Sequence, residues 1–198
     1  MHRLARARYQ GGDPIRGMES YAQAIQLHEQ AFGAEHVETG HLLAELGEIH
    51  RTHGNHTDAQ AQLRRALKIH EAACGADSAE ATEDLAHLAA SLEESGDREG
   101  AMAQFERVLR LKERQVGGNM DDLAEMQARV ARMYAEWGER GKARNLLAQA
   151  IPALRRKAGA PLAGALETMA QIEEASGNPR EAARIRETVL TLMAGQQA

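Results

Sequence analysis

Apolar residues recur along this chain at helical spacing. In residues 37–53 and 56–74 they lie three or four positions apart, which places them on one face of an α-helix. The apolar positions of these two segments are Leu42, Leu43, Leu46 and Ile49, followed by Ala59, Leu63, Ala66, Leu67 and Ile69. The pattern therefore predicts a pair of amphipathic helices that pack against each other.

The same pattern of two helices recurs along the chain with a fixed period. Glycines in the turn within the pair recur every 42 residues, at Gly54, Gly96 and Gly138. Glycines that end the second helices recur at the same interval, at Gly33, Gly75, Gly117 and Gly159. A period of this length indicates stacked helical units, each packed on its neighbours.

We predict a single all-α domain over residues 1–198, which the 42-residue period divides into repeat units. Its units are a partial repeat 1–33, three full repeats 34–75, 76–117 and 118–159, and a C-terminal capping repeat 160–198. In the last unit, the predicted helix 179–194 carries Arg186 where the other units have an apolar residue. A polar residue at such a position is typical of a terminal unit that no further repeat covers.

The N-terminal end of the array is incomplete. Residues 1–11 are either the end of a truncated first helix or a disordered basic extension. A helix is predicted at 14–32, because Pro14 is well placed in the first turn of a helix. Since the array starts with half a repeat, we expect the sequence to be a fragment of a longer chain.

Two irregularities fall in the C-terminal half. Pro152 lies within the predicted helix 140–157, where the loss of one main-chain hydrogen bond predicts a kink or an early helix end. Gly177 follows Gly138 by 39 residues instead of 42. Helix 162–176 is therefore expected to be shorter than its equivalents or to start differently.

Composition narrows the class of protein. Apolar residues make up 43% of the chain and aromatic ones only 3%, so the predicted core is aliphatic. The net charge of −5 is mild and no long block of like charge occurs, which argues against nucleic acid or a membrane surface as partner.

Cys74 is the only cysteine, so no internal disulfide is expected. No apolar run reaches the roughly 18 residues of a spanning helix. The N-terminus lacks the apolar segment of a secretory signal, so we expect a cytoplasmic location.

Small and large apolar residues follow a fixed order within each unit. In the first full unit the order is Leu46-Gly47, Gly54, Ala59, Leu63 and Ala66, and in the second it is Leu88-Ala89, Gly96, Ala101, Phe105 and Val108. This spacing resembles the tetratricopeptide repeat, and the 42-residue period is similar to the kinesin-light-chain type of that repeat. The resemblance implies a right-handed superhelical solenoid of antiparallel helix pairs with about four and a half repeats. It also implies binding of a protein or peptide on the concave surface, which the first helices line.

One feature of the kinesin-light-chain type is missing. Its repeats commonly carry two asparagines before the apolar-small pair, and these hold the main chain of an extended peptide. Those places are occupied here by Ala44-Glu45, Ala86-His87, Ala128-Arg129 and Glu167-Thr168. The asparagine ladder is therefore absent, and that mode of peptide binding does not carry over.

The first helices supply the candidate binding residues. Their spacing places a set of mostly charged side chains on the predicted concave face: His41, Glu45, Glu48, Arg51, Glu83, His87, Glu94, Arg129, Arg132, Glu136, Gln171 and Glu174. One interpretation is a groove, acidic at one end and basic near Arg129 and Arg132, that selects a partner of complementary charge. The other is a solvated helix face whose ion pairs contribute little. We favour the groove because solenoids usually bind through their inner curve.

The histidines and the single cysteine raise the question of a metal. His50, His53 and His56 have regular spacing across a predicted turn, and His70 with Cys74 is an i, i+4 pair of ligand types. A closed zinc site needs about four converging ligands. Because His50 is expected to point into the core and bond a carbonyl, we predict no metal and no cofactor. Cys74 is expected to be an ordinary residue at a helix end.

Trp137 is a possible anchor for a partner, since it lies at the end of a first helix and tryptophan is enriched at binding hot spots. Exposure by chance is an equally good explanation. Catalysis needs a nucleophile beside a base or a carboxylate pair in a pocket. The sequence contains no such constellation, so we predict that the protein is not an enzyme.

The main hypothesis is therefore a protein-interaction module or scaffold. One alternative is self-assembly through an end helix, which predicts an exposed apolar patch at Val189, Leu190 and Met193. A second alternative, an enzyme or metal protein, predicts stoichiometric zinc or a deep pocket. No sequence feature favours that second alternative.

Overall fold

All regular structure in the described part of the chain is α-helical. The computed structural model describes residue 6 and residues 14–114, 120–157 and 159–194. In these residues nine helices follow one another without a strand, which confirms the predicted all-α class. They are α1 Pro14–Phe32, α2 Val37–Thr52, α3 His56–Cys74, α4 Ala79–Glu94, α5 Arg98–Arg114, α6 Met120–Glu136, α7 Arg140–Lys157, α8 Ala160–Ala175 and α9 Pro179–Ala194.

The helix bounds follow the sequence pattern closely. Helices α1, α3, α7 and α9 have the bounds predicted from the sequence, and α2 ends one residue earlier than expected. Helix α8 starts differently, as the shortened period indicated, and places Pro161 in its first turn. Proline is tolerated there because the first helical N–H groups have no intrahelical acceptor. The prediction for residues 1–11 lies outside the described residues, apart from Arg6.

Helix α7 continues through Pro152 to Lys157, so an early end of this helix is wrong, and the alternative of a kink at Pro152 stays a prediction. The proline side of the helix is exposed, whereas Ala150 and Leu154, on either side of it in sequence, are buried. Burial of these residues outweighs the loss of one main-chain hydrogen bond, which is a common reason for tolerating an internal proline.

Glycines lie at the ends of helices, at the positions that the repeat pattern predicts. The backbone of Gly54 has φ 75° and that of Gly96 has φ 86°, in the left-handed region that other residues rarely adopt. After Gly96, the side chain of Asp97 caps the next helix, because its Oδ1 accepts from the backbone N–H of Gly100 at 2.9 Å. Asn55 occupies the corresponding place before α3 but forms no side-chain cap bond.

The described chain divides into two compact units, Met1–Leu111 and Lys112–Ala198, which are described separately below. The core of the first unit is aliphatic with a few rings. Leu63 and Phe105, which occupy the same repeat position, are both fully buried. Gly47 lies beneath Leu63 so closely that an added Cβ would be 2.7 Å from the leucine Cγ. Helices α2 and α3 therefore approach each other through a glycine.

The second unit has a buried core between α6, α7 and α8. Val130, Leu147 and Ile172 are among its most deeply buried side chains. Helix α9 contributes only Ala182 to the buried set, and its Arg186 reaches across to α8. There Arg186 Nε lies 3.2 Å from Glu167 Oε1, and its Nη2 lies 2.7 Å from Glu174 Oε2. The assignment of the whole chain to one solenoid domain with the repeat bounds given above stays a prediction.

Candidate functional site

The first unit contains a cavity with an acidic wall, which we call the acidic cavity. It has a volume of about 410 Å³ and is bounded mainly by α2 and α4, the first helices of two successive pairs. Its lining residues are Arg6, Tyr21, His41, Ala44, Glu45, Glu48, Ile49, His70, Glu80, Glu83, Asp84 and His87. The predicted site residues His41, Glu45, Glu48, Glu83 and His87 thus lie together.

Glu48 is the centre of an ion-pair network at the edge of the acidic cavity. Arg51 donates to both of its oxygens, at 2.8 Å from Nε and 2.6 Å from Nη2, and His87 Nδ1 lies 2.9 Å from Oε2. Arg51 also donates to Glu94 on α4. The network joins α2 to α4 and includes four of the predicted site residues.

The network shifts the protonation equilibria of its members. Burial alone would raise the pKa of Glu48, but the hydrogen bonds from Arg51 and His87 outweigh it and lower that pKa to about 2. The hydrogen bond to Glu48 raises the pKa of His87, and the same carboxylate raises the pKa of Arg51. Glu48 is therefore ionised and held in one orientation at neutral pH.

A buried histidine–aspartate pair forms the inner wall of the acidic cavity. His70 Nδ1 lies 2.7 Å from Asp84 Oδ2, and the two side chains are 1% and 2% exposed. Burial raises the pKa of Asp84 to about 6, although the hydrogen bond to His70 acts in the opposite direction. The ring of His41 lies against that of His70, with centroids 4.7 Å apart.

His70 fits because α2 has a glycine opposite it. A Cβ added at Gly40 would lie 2.6 Å from His70 Nε2, so any side chain there would displace the imidazole. This Nε2 is buried and has no hydrogen-bond partner among the described residues. From the sequence, His70 was considered only with Cys74, and Asp84 was not predicted to be its partner. The available signal was an aspartate on the buried face of α4, three residues after Ala81 and four before Leu88.

The ring of Tyr21 on α1 is buried. Its hydroxyl, however, donates to Glu45 Oε2 at 2.6 Å and so reaches the wall of the acidic cavity. This contact fixes a second carboxylate of α2 and was not foreseen from the sequence.

The second unit has a smaller pocket, which we call the basic pocket. It has a volume of about 300 Å³ and lies between α6 and α8. Its lining residues are Glu125, Ala128, Arg129, Arg132, Ala160, Pro161, Gly164, Ala165 and Thr168. Both predicted arginines therefore lie at one pocket, whose other walls are mostly small side chains.

The other predicted residues of the second unit lie around this pocket or away from it. Glu136 is exposed, with Oε1 at 3.9 Å from Arg132 Nε. Gln171 is exposed on α8, and Glu174 pairs with Arg186. Trp137 lies in the turn after α6 and is partly exposed. A single groove that combines these residues with those of the first unit stays a prediction.

The histidines near the first turn differ from expectation. His50 is half-buried, but its Nδ1 has no hydrogen-bond partner in the described residues, so the predicted bond to a carbonyl is wrong. His53 has that contact instead, with Nδ1 at 2.8 Å from the carbonyl oxygen of Ile49. Cys74 is exposed at the end of α3.

Neither a metal-binding cluster nor a membrane-spanning helix occurs in the described ranges. Among residues 14–114, 120–157 and 159–194, no three His, Cys, Asp or Glu side chains converge in a way that could hold a metal ion. Within the same ranges no helix has the length and apolarity needed to cross a membrane.

Comparison with known proteins identifies the class of fold. Residues 1–72 match the family model of the tetratricopeptide repeat. No curated protein matches the sequence. The structure is similar to the nearly identical TPR-like repeats of a Podosopora anserina protein assigned as a kinesin light chain, with 20% identity and a TM-score of 0.81 over 99% of this chain and 94% of that one.

Two further solved structures have the same fold. BtubC (BKLC) from P. vanneervenii is 17% identical, with a TM-score of 0.82 over 98% of this chain and 79% of that one. The apo form of RapI is also 17% identical, with a TM-score of 0.82 over 96% of this chain, which spans about half of RapI (51%). The predicted resemblance is thus confirmed: the chain has the tetratricopeptide fold of helix pairs, in the form found in kinesin light chain-like repeat proteins.

Proposed function

We propose that this protein is a protein-interaction module whose first helices carry the contact surfaces. The observation that supports this most directly is the position of the two pockets. The acidic cavity is bounded by α2 and α4 and the basic pocket by α6 and α8, which are the first helices of their pairs. The tetratricopeptide fold itself supports an interaction or scaffold role in general terms.

The module would bind through side chains that are already fixed before the partner arrives. Glu48 is clamped by Arg51 and His87, and Glu45 is held by the Tyr21 hydroxyl. Side chains held in this way lose little conformational entropy on association. The opposite charges of the acidic cavity and the basic pocket would select complementary charges on the partner and reject like ones.

The arginines of the basic pocket provide the test of the proposed function. We expect the double substitution Arg129→Glu and Arg132→Glu to reduce capture of protein partners by about tenfold or more, because reversed charges repel the groups that the arginines attract. Immobilised wild-type and variant proteins would be incubated with extract of the native cells, and captured proteins quantified. Helical content and melting temperature should change little, since neither arginine is buried.

A matched control distinguishes a local effect from a change in net charge. Arg155 and Arg156 are exposed on α7, a second helix, so Arg155→Glu with Arg156→Glu changes the net charge equally. This control should retain the partners. If the Arg129 and Arg132 variant captured the same proteins in the same amounts as wild type, the proposed use of the basic pocket would be abandoned.

Self-assembly is a second candidate, and the surface of α9 favours it. Leu190 is 70% exposed and Met193 is 52% exposed on this helix. If copies associate here, the light-scattering mass should rise above 21.6 kDa with concentration, and Leu190→Glu should restore the mass of a monomer by placing a charge in the contact. A constant monomer mass across the concentration range would exclude this candidate.

A further inference from the structure

We propose that the acidic cavity of the first unit binds an arginine or lysine side chain from a segment of a protein partner. This inference rests on the proposed function and specifies the kind of partner for one of its two pockets. Four features of the cavity carry it, namely its charge, its shape, a cationic side chain already at its wall and an unused hydrogen-bonding group.

The charge of the cavity is negative and only partly compensated. Five carboxyl groups line it, two from α2 and three from α4. Glu48 is neutralised by Arg51 and His87, as described above. Glu80, in contrast, has no ion-pair partner among the described residues, and Glu83 is 76% exposed with only His87 nearby, at 3.8 Å. A cationic group entering between α2 and α4 would therefore find, at Glu80, a carboxylate that no ion pair among the described residues neutralises.

The shape of the cavity suits a long cationic side chain better than a small ion. Its volume of about 410 Å³ falls in the range of clefts that hold organic ligands. Tyr21, Ala44 and Ile49 form an apolar part of the wall. Arginine and lysine bury their methylene stems against such surfaces while the charged end contacts polar groups. A bare metal ion is a poorer fit, because no three ligands converge among the described residues.

Two further observations point to a ligand at this place. The side chain of Arg6 lines the cavity, so a guanidinium is compatible with the acidic wall. His70, which is 1% exposed, also forms part of the wall, and its Nε2 is not used by any described residue. A residue of the wall thus leaves a buried hydrogen-bonding group without a partner among the described residues, facing Gly40 of α2, close to the carboxylates of the cavity.

The inference can be tested with synthetic peptides. The probe is a fluorescein-labelled peptide of alternating glycine and arginine, seven residues long, and its matched control has citrulline in place of arginine, which keeps the shape and removes the charge. We expect fluorescence anisotropy to give an affinity for the arginine peptide at least about tenfold higher than for the citrulline peptide. A peptide of alternating glycine and glutamate should not bind.

Variants locate the binding. Glu80→Gln with Glu83→Gln should weaken binding of the arginine peptide about tenfold, since it removes the two carboxylates that are least compensated. Glu99→Gln with Glu113→Gln is the control, because both residues are exposed on α5, neither lines the acidic cavity, and the change in net charge is equal. In a histidine-detected NMR titration of wild type, the arginine peptide should shift the ring signals of His41 and His87.

The results separate this inference from the proposed function. The inference of a cationic ligand would be overturned if the Glu80/Glu83 variant and the Glu99/Glu113 control bound the arginine peptide equally. It would also be overturned if the arginine and citrulline peptides bound equally to wild type. In that case, capture that still depends on Arg129 and Arg132 would leave the interaction module intact. If the preference for the arginine peptide and the dependence of capture on Arg129 and Arg132 were both absent, the proposed function would be overturned as well.

Discussion

Leu63→Ala is expected to lower the free energy of unfolding of the first unit by about 2–5 kcal/mol. Leu63 is fully buried and lies on Gly47, where α2 and α3 approach each other. Removal of its side chain leaves a cavity that the two helix backbones cannot close without moving. Urea denaturation followed by circular dichroism would measure the change. Leu190→Ala is the control, because Leu190 is 70% exposed, and it should change stability by no more than about 0.5 kcal/mol.

The contact with Gly47 makes this prediction specific. Gly47→Ala would place a Cβ 2.7 Å from Leu63 Cγ, an overpacking that costs about 1–3 kcal/mol and is partly offset by the better helix propensity of alanine. In the double variant, the new methyl group occupies part of the space that Leu63 leaves. The two changes in free energy should therefore be non-additive, with the double variant more stable than their sum predicts. Strict additivity would show that the two residues do not share this contact.

The repeat pattern was sufficient to predict the helices because it records packing directly. Leu63 and Phe105 occupy equivalent positions 42 residues apart, and both are fully buried in the structure. Gly54 and Gly96 lie in the turns between paired helices, as the pattern predicted, and there they adopt positive φ. In each case a single residue type is required by local geometry, so its recurrence in sequence is readable.

Positions where local and tertiary effects compete were harder to predict. Pro152 disfavours a helix locally, yet α7 continues because Ala150 and Leu154 are buried in the core of the second unit. His50 and His53 are three residues apart, and the turn geometry decides which of them reaches a carbonyl. His53 lies at the C-terminal cap of α2 with φ −99° and ψ 7°, which brings its ring to the Ile49 carbonyl.

The sequence indicated which side chains share a helix face, but not which side chains pair with one another. His41, Glu45 and Glu48, which helical spacing places on one face, line one wall of the acidic cavity; their use in binding stays a prediction. The His70–Asp84 pair was missed because its partners lie on different helices and depend on Gly40 of a third helix for space. A hydrophobic pattern identifies which residues are buried, but it does not indicate which buried polar groups meet.

The buried pair leads to a second prediction, that Asp84 makes the first unit less stable as pH rises from about 4 to 7. Burial raises the pKa of Asp84 from its ordinary value of 3.8 to about 6 in the folded protein. Between these values the folded protein binds more protons than the unfolded chain. The stabilising contribution of the protonated carboxyl is therefore complete below pH 3.8 and is lost as pH rises through about 6. At about 1.4 kcal/mol for each pKa unit, the loss is on the order of 2–3 kcal/mol.

Glu48 and His87 also make stability depend on pH. Glu48 does so at lower pH than Asp84, and both residues are present in wild type and in the variant Asp84→Asn. Glu48 has its pKa lowered to about 2, so its contribution to stability is lost only as pH falls towards that value. His87 has its pKa raised by Glu48, so its contribution is present below its ordinary pKa of 6.5 and is lost as pH rises through the folded value. Because Glu48 and His87 are present in both wild type and Asp84→Asn, subtraction of the two stability curves leaves the contribution of Asp84 together with its coupling to His70, His87 and Glu83.

The measurement is urea denaturation of wild type and Asp84→Asn at several pH values from 4 to 7.5. The wild type should lose stability relative to Asp84→Asn as pH rises, because asparagine keeps a neutral side chain beside His70 at every pH. Asp77→Asn, an exposed change in the loop after α3, should give a curve parallel to that of wild type. If wild type instead gained stability over Asp84→Asn with rising pH, the pair would be a stabilising ion pair with an ionised Asp84. That result would mean that attraction to a protonated His70 exceeds the desolvation of both charges, the reverse of the balance that burial usually sets.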